Sequence, residues 1–253
     1  MSSALPALYV SRSAVLILSA MSFRDRLLGT LRQMQPVLDV QGVMVGGSQV
    51  PNLLEPEAAA TLVVSQDVDL VVPVARLGEV KAALASVEGY SPAPDEPSVW
   101  TPKDSGQLEV NFIGLDPALH ETSESYELQD DRLPMLVFGL LSLLEEGPTI
   151  EVGELRVRVP RPAGLLLEKL LTERSGLKGE RDLLVALGLL MVSDDADLQE
   201  AVEIFSDLTS EQRATVVGGL TVLSLMKPIP EMPDPSAARE HVVRLIGRLE
   251  TVA

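Results

Sequence analysis

Asp67 and Asp69 stand one residue apart inside an apolar, β-branched run, "LVVSQDVDLVVPV", residues 62–74. On a strand, side chains two residues apart project to the same face about 6.6 Å from each other. Two carboxylates drawn to 4 Å at an effective dielectric of about 20 repel by roughly 4 kcal/mol, so something positive is expected between them. A Mg²⁺ ion, whose oxygen ligands sit at about 2.0–2.1 Å, would bridge the pair and keep positions for water and for phosphate oxygens. A third carboxylate, Glu109, lies in "QLEVNFIGL", where alternation predicts a strand with Glu109 and Asn111 on one face. Three oxygen-bearing side chains on neighbouring strands suit two-metal phosphoryl chemistry. One ion then positions a triphosphate and stabilises leaving pyrophosphate, while the other lowers the pKa of an attacking hydroxyl. The bland account is an edge strand whose outward charges deter aggregation, with Glu109 an ordinary solvated residue and Asn111 bonded to nearby backbone.

Upstream, "VGGS" follows a predicted strand. Gly46 and Gly47 would let backbone N–H groups approach an anion closely, and Ser48 adds a hydroxyl.

Taken together, "VGGS", "SQDVDLVV" and "LEVNF" resemble the nucleotidyltransferase superfamily over residues 21–115. The stretch "VPRPAGLLLEKLLTERSGLKGERDLLVAL" resembles the segment that follows the catalytic domain in its AbiEii/AbiGii-like branch. The resemblance implies a polymerase-β-like α/β (α+β) fold: a mixed sheet flanked by helices, with a C-terminal helical domain. It implies transfer of a nucleoside monophosphate from an NTP to an acceptor hydroxyl, releasing pyrophosphate, with Mg²⁺ (or Mn²⁺). Gly46, Gly47 and Ser48 would hold the triphosphate, with Lys169 and Lys178 as further nucleotide-binding residues. Asp67, Asp69 and Glu109 would be both the catalytic and the metal-binding set. Members of the branch act as toxins of toxin–antitoxin pairs, which would make an antitoxin-like protein a partner; the acceptor (RNA, protein or small molecule) stays open. Two features depart from the family pattern: 18 residues, 49–66, separate Ser48 from Asp67, with an insertion around residues 55–60, and the third acid is Glu instead of Asp. The competing implication is a catalytically inactive nucleotide- or partner-binding protein of the same fold.

Lys169, Arg174, Lys178 and Arg181 are interleaved with Glu168, Glu173, Glu180 and Asp182. Without the resemblance they read as a solvated helix face laced with ion pairs, and Arg181 and Asp182 as packing or salt-bridge residues.

Composition narrows the alternatives. With aromatics at 3% and no cysteine, the core must be aliphatic, and disulfides, thiolate catalysis and Cys-bound metals are excluded. His120 and His241 have no metal-ligand spacing and read as incidental surface or loop residues. A net charge of −17 opposes wholesale binding to a polyanion, which depends on Lys and Arg. No apolar run reaches the length of a membrane span or a signal peptide, so a cytoplasmic location is expected.

Periodicity predicts helices at residues 22–38 and 76–87, a short helix and loop after the "VGGS" turn, and short strand character at residues 98–101 around Trp100, a packing residue. A hairpin is expected around Val152 and Gly153, followed by helices at 163–172, 180–190, 196–206, 210–225 and 236–250. The expected organisation is an extension, 1–20, a catalytic domain, 21–159, and a helical domain, 160–253.

Overall fold

The computed structural model describes residues 22–54, 66–119, 125–139, 142–171, 176–228 and 234–251. Helix α1 (Phe23–Gln33) starts at a capping box: the Ser22 hydroxyl accepts from the Asp25 N–H, and the Asp25 carboxylate accepts from the Ser22 N–H. The expected helix over 22–38 is in fact two, because Pro36 lies in the first turn of α2 (Gln35–Leu38) and cannot supply the N–H that would continue α1.

Among the described residues, seven strands form one mixed sheet: β1 (Met44–Gly46), β2 (Asp67–Pro73), β3 (Tyr90–Pro92), β4 (Val99–Pro102), β5 (Glu109–Asp116), β6 (Ser125–Leu128) and β7 (Met135–Gly139). The order is β1-β2-β5-β4-β3, with β7 pairing to the far end of β5 and to β6. β2 runs parallel to β5, and β5 to β7; the other pairings are antiparallel. The sheet is flanked by helices and followed by a helical C-terminal region, the fold class expected above.

Alternation along β2 and β5 sorts side chains into two faces. Val68, Leu70, Val72, Val110 and Phe112 join Leu27 and Leu31 of α1, and Val80 and Leu84 of α4 (Leu77–Leu84), in the main core. Trp100 packs edge-on to Phe112, ring centroids 6.0 Å apart. The opposite face carries Asp67, Asp69, Glu109 and Asn111 at one end and a small apolar cluster of Met44, Val71 and Leu115 at the other.

A buried clasp ties α1 to the sheet. The Tyr90 hydroxyl donates to the Leu108 carbonyl at 2.8 Å, and the Leu108 N–H donates to Thr30 Oγ1 at 2.8 Å. Burial pushes the Tyr90 pKa up, keeping that donor proton in place.

The hairpin forms as expected, with β8 (Glu146–Val152) and β9 (Leu155–Pro160) joined at Gly153, whose φ of +64° suits glycine. β9 backs onto β1. The chain is then helical: α5 (Pro162–Leu171), α6 (Gly176–Val192), α7 (Asp195–Asp207), α8 (Ser210–Leu225) and α9 (Arg239–Leu249). Capping boxes start α7 at Asp194 and α8 at Thr209. One apolar cluster of described residues runs from Leu27 to Leu249, across the passage from β9 to α5. No helix among the described residues is long and apolar enough to cross a membrane.

Candidate active site

β1 delivers the glycine turn to the second aspartate. Gly46 pairs with Asp69 across the antiparallel ladder, and Gly47 takes a φ of +65° as the chain enters a 3-10 turn, Gly47–Gln49. A Cβ on Gly47 would collide with Oδ2 of Asp69, and one on Gly46 would stand 2.8 Å from Cγ2 of Val71. Glycine at Gly47 therefore serves two ends, a left-handed backbone and a carboxylate lying directly against it. The turn leads into α3 (Val50–Leu54).

Parallel register with β5 sets what faces the aspartates. Asp67 pairs with Glu109, and Asp69 with Asn111, so all four side chains share one face. The Asn111 Nδ2 amide donates to Asp67 Oδ2 at 2.8 Å and to Asp69 Oδ1 at 3.2 Å. Asp67, Asp69 and Asn111 are half-buried, whereas Glu109 is exposed at the rim. Among the described residues no three acidic or histidine side chains stand close enough to share an ion. Asn111 thus occupies the bridging position in which a metal ion was expected, and Glu109 lies outside it. The donor set fits a hard cation all the same: two carboxylates converge on one point, and the amide between them carries an oxygen as well as a nitrogen.

Behind the turn lies a residue that the sequence did not single out. The Gln49 Nε2 amide donates to the Asp67 carbonyl at 2.9 Å and lies 3.2 Å from Ser48 Oγ, while Gln49 Oε1 accepts from Asn52 Nδ2 at 2.9 Å. Nothing local marks Gln49 or Asn52 as part of a site; only the fold brings them to Asp67. Asn111 did carry a signal, its alternation with Glu109.

Lys169 sits on α5 with its Nζ 3.3 Å from Glu168 Oε2 and 3.3 Å from Asp182 Oδ1, all three side chains about nine-tenths buried. It is not on a solvated face, and Asp182 of α6 takes the salt-bridge role expected of it. α6 packs against both α3 and the 3-10 turn, which brings the helical region to the glycine turn. Lys178 is on the first turns of α6, but its side chain, like His120, Arg174 and the insertion at 55–60, lies outside the described residues. His241 Nε2 lies 3.9 Å from Oε1 of its neighbour Glu240.

No protein-family model matches the chain, and no curated protein matches it in sequence. Several solved structures are similar to it, among them the two that follow. One is an antigenic nucleotidyltransferase-like protein from Paracoccidioides brasiliensis, 15% identical, covering 74% of this chain and 92% of its own, with a TM-score of 0.36. The other is JHP933 from Helicobacter pylori, 14% identical, covering 92% of this chain and 94% of its own, with a TM-score of 0.37. With scores this low neither likeness bears on the chemistry, which rests on the geometry of the site.

Proposed function

We propose that the chain is a nucleotidyltransferase that binds an NTP with a divalent cation and transfers its nucleoside monophosphate to an acceptor hydroxyl. The acceptor oxygen forms a bond to the α-phosphorus, the bond from that phosphorus to the β-bridging oxygen breaks, and pyrophosphate leaves. The acceptor proton passes to a carboxylate or to solvent. One observation carries the reading: the Gly47 turn rests on Asp69, so a triphosphate seated on the turn's N–H groups would lie over the paired carboxylates.

Asp67 and Asp69 would hold Mg²⁺ or Mn²⁺, which when bound supplies charge neutralisation for pyrophosphate and a lower pKa for the acceptor hydroxyl. Asn111 suits both states of such a site. With its NH₂ inward it relieves carboxylate repulsion, and rotated by half a turn it offers an oxygen. Glu109, at the exposed rim, would take the acceptor's proton. Lys178 would add positive charge from α6, while Lys169 stays with its two carboxylates in the helix interface.

A second reading, nucleotide binding without turnover, is favoured by the position of Glu109, since two-ion chemistry then lacks its third acid. Label transfer from each NTP with Mg²⁺ or Mn²⁺ onto RNA, protein and small-molecule hydroxyls separates the two. Pyrophosphate release that falls by about 100-fold or more in Asp69→Ala supports transfer. Nucleotide binding with no release on any acceptor selects the second reading, and absence of both binding and release sinks them together.

A further inference from the structure

Gln49 is 1% exposed and Asn52 3% exposed, two amides buried directly behind the glycine turn. Their polarity is dictated from one end. The Asp67 carbonyl can only accept, so the Gln49 amide must turn its NH₂ toward it, which leaves Gln49 Oε1 needing a donor. Asn52 Nδ2 is that donor, and the consequence falls on Asn52 Oδ1, a buried oxygen with no hydrogen-bond partner among the described residues. A buried acceptor left so is a standing cost, and an apolar side chain of the same size would fill the space without it. What the amide adds is a link: one NH₂ group touches both Ser48 Oγ, on the turn, and the backbone of Asp67, on the acidic strand.

We propose that Gln49 is a positioning residue that makes the turn and the acidic strand move as one body, so that nucleotide and cation bind as coupled partners. The inference rests on the nucleotide-binding reading above. Ser48 would meet the phosphates and Asp67 the cation, and a shift of either relative to the other would spoil the shared geometry that lets each ligand favour the other. Coupling of this kind is reciprocal.

The test is calorimetric titration of the full chain with α,β-methylene analogues of the four NTPs, at zero and at saturating Mn²⁺. In the wild type Mn²⁺ is expected to tighten analogue binding by about tenfold or more, and in Gln49→Met by less than about threefold. The ratio of the two affinities is the readout, because a merely damaged fold would weaken binding in both conditions alike and leave that ratio at the wild-type value. Asn52→Leu, which keeps Gln49 but removes its donor, should give an intermediate coupling and serves if Gln49→Met fails to fold. Wild-type coupling retained in a folded Gln49→Met, or in Asn52→Leu, overturns the inference alone. A wild type that binds no analogue in either condition overturns the functional reading and this inference together.

Discussion

Two clusters in this molecule each gather a pair of acidic side chains around one nitrogen, and the nitrogens differ. Between Asp67 and Asp69 it is the neutral amide of Asn111, at 2.8 and 3.2 Å. Between Glu168 and Asp182 it is the ammonium of Lys169, at 3.3 Å from each. The ammonium is ion-paired to both carboxylates and so ties α5 to α6. The amide carries no charge. It eases the repulsion by hydrogen bonding, and both carboxylates stay half open to solvent, where the proposed cation would meet them. The charge on the bridging nitrogen is what separates the ion-paired helix contact from the proposed binding site.

The largest effect is expected where that charge is removed. Lys169→Met leaves two buried carboxylates facing each other and should cost about 3–5 kcal/mol in denaturant unfolding. A loss below about 1 kcal/mol would break the contrast, since the ammonium would then not be what holds the helix pair. Asn111→Asp sharpens it from the other side by placing a third carboxylate between two. The variant should lose about 2 kcal/mol without metal and regain it in Mn²⁺, with tighter ion binding than wild type. Equal stability with and without Mn²⁺ would count against a cation at Asp67 and Asp69.

The smallest effect belongs to a pair near the surface. Lys81 Nζ lies 2.6 Å from Asp130 Oδ2, and this bond, with the Arg132 N–H, holds the Asp130 carboxyl down from 3.8 to about 2. Because the folded pKa is the lower one, the stabilisation is present above the unfolded value of 3.8 and fades as the pH falls toward 2. Lys81→Met should flatten that stretch of the acid-unfolding curve and cost less than about 1 kcal/mol at neutral pH. An unchanged acid limb would show that the ion pair contributes nothing.

Much of the architecture can be read from local pattern. The α8 boundaries, Ser210–Leu225, coincide with the periodic stretch because Thr209 and Gln212 close a capping box there. The turn at Gly153 and the strand carrying Asp67 and Asp69 follow from glycine freedom and from alternation. β3 was hidden. "GYSPAPDEP" looks like a proline-rich connection, yet Tyr90–Pro92 pairs with β4 at the edge of the sheet, where a missing N–H is tolerated. Lys169 was legible as a helical cation but not as a buried one, since the faces of α5 are nearly all apolar and its partner Asp182 lies on another helix.

The amino-acid order alone determined that Asp67 and Asp69 share a face, that Glu109 and Asn111 share another, and that paired glycines precede them, because a strand's two-residue period and glycine's backbone freedom are local properties. Tertiary structure decided that these faces coincide, that Asn111 and not Glu109 enters between the aspartates, and that Gln49 joins the turn to Asp67. Those outcomes depend on the register between β2 and β5 and on the packing of the turn, and a sliding of the two strands past each other is invisible to any pattern within one strand.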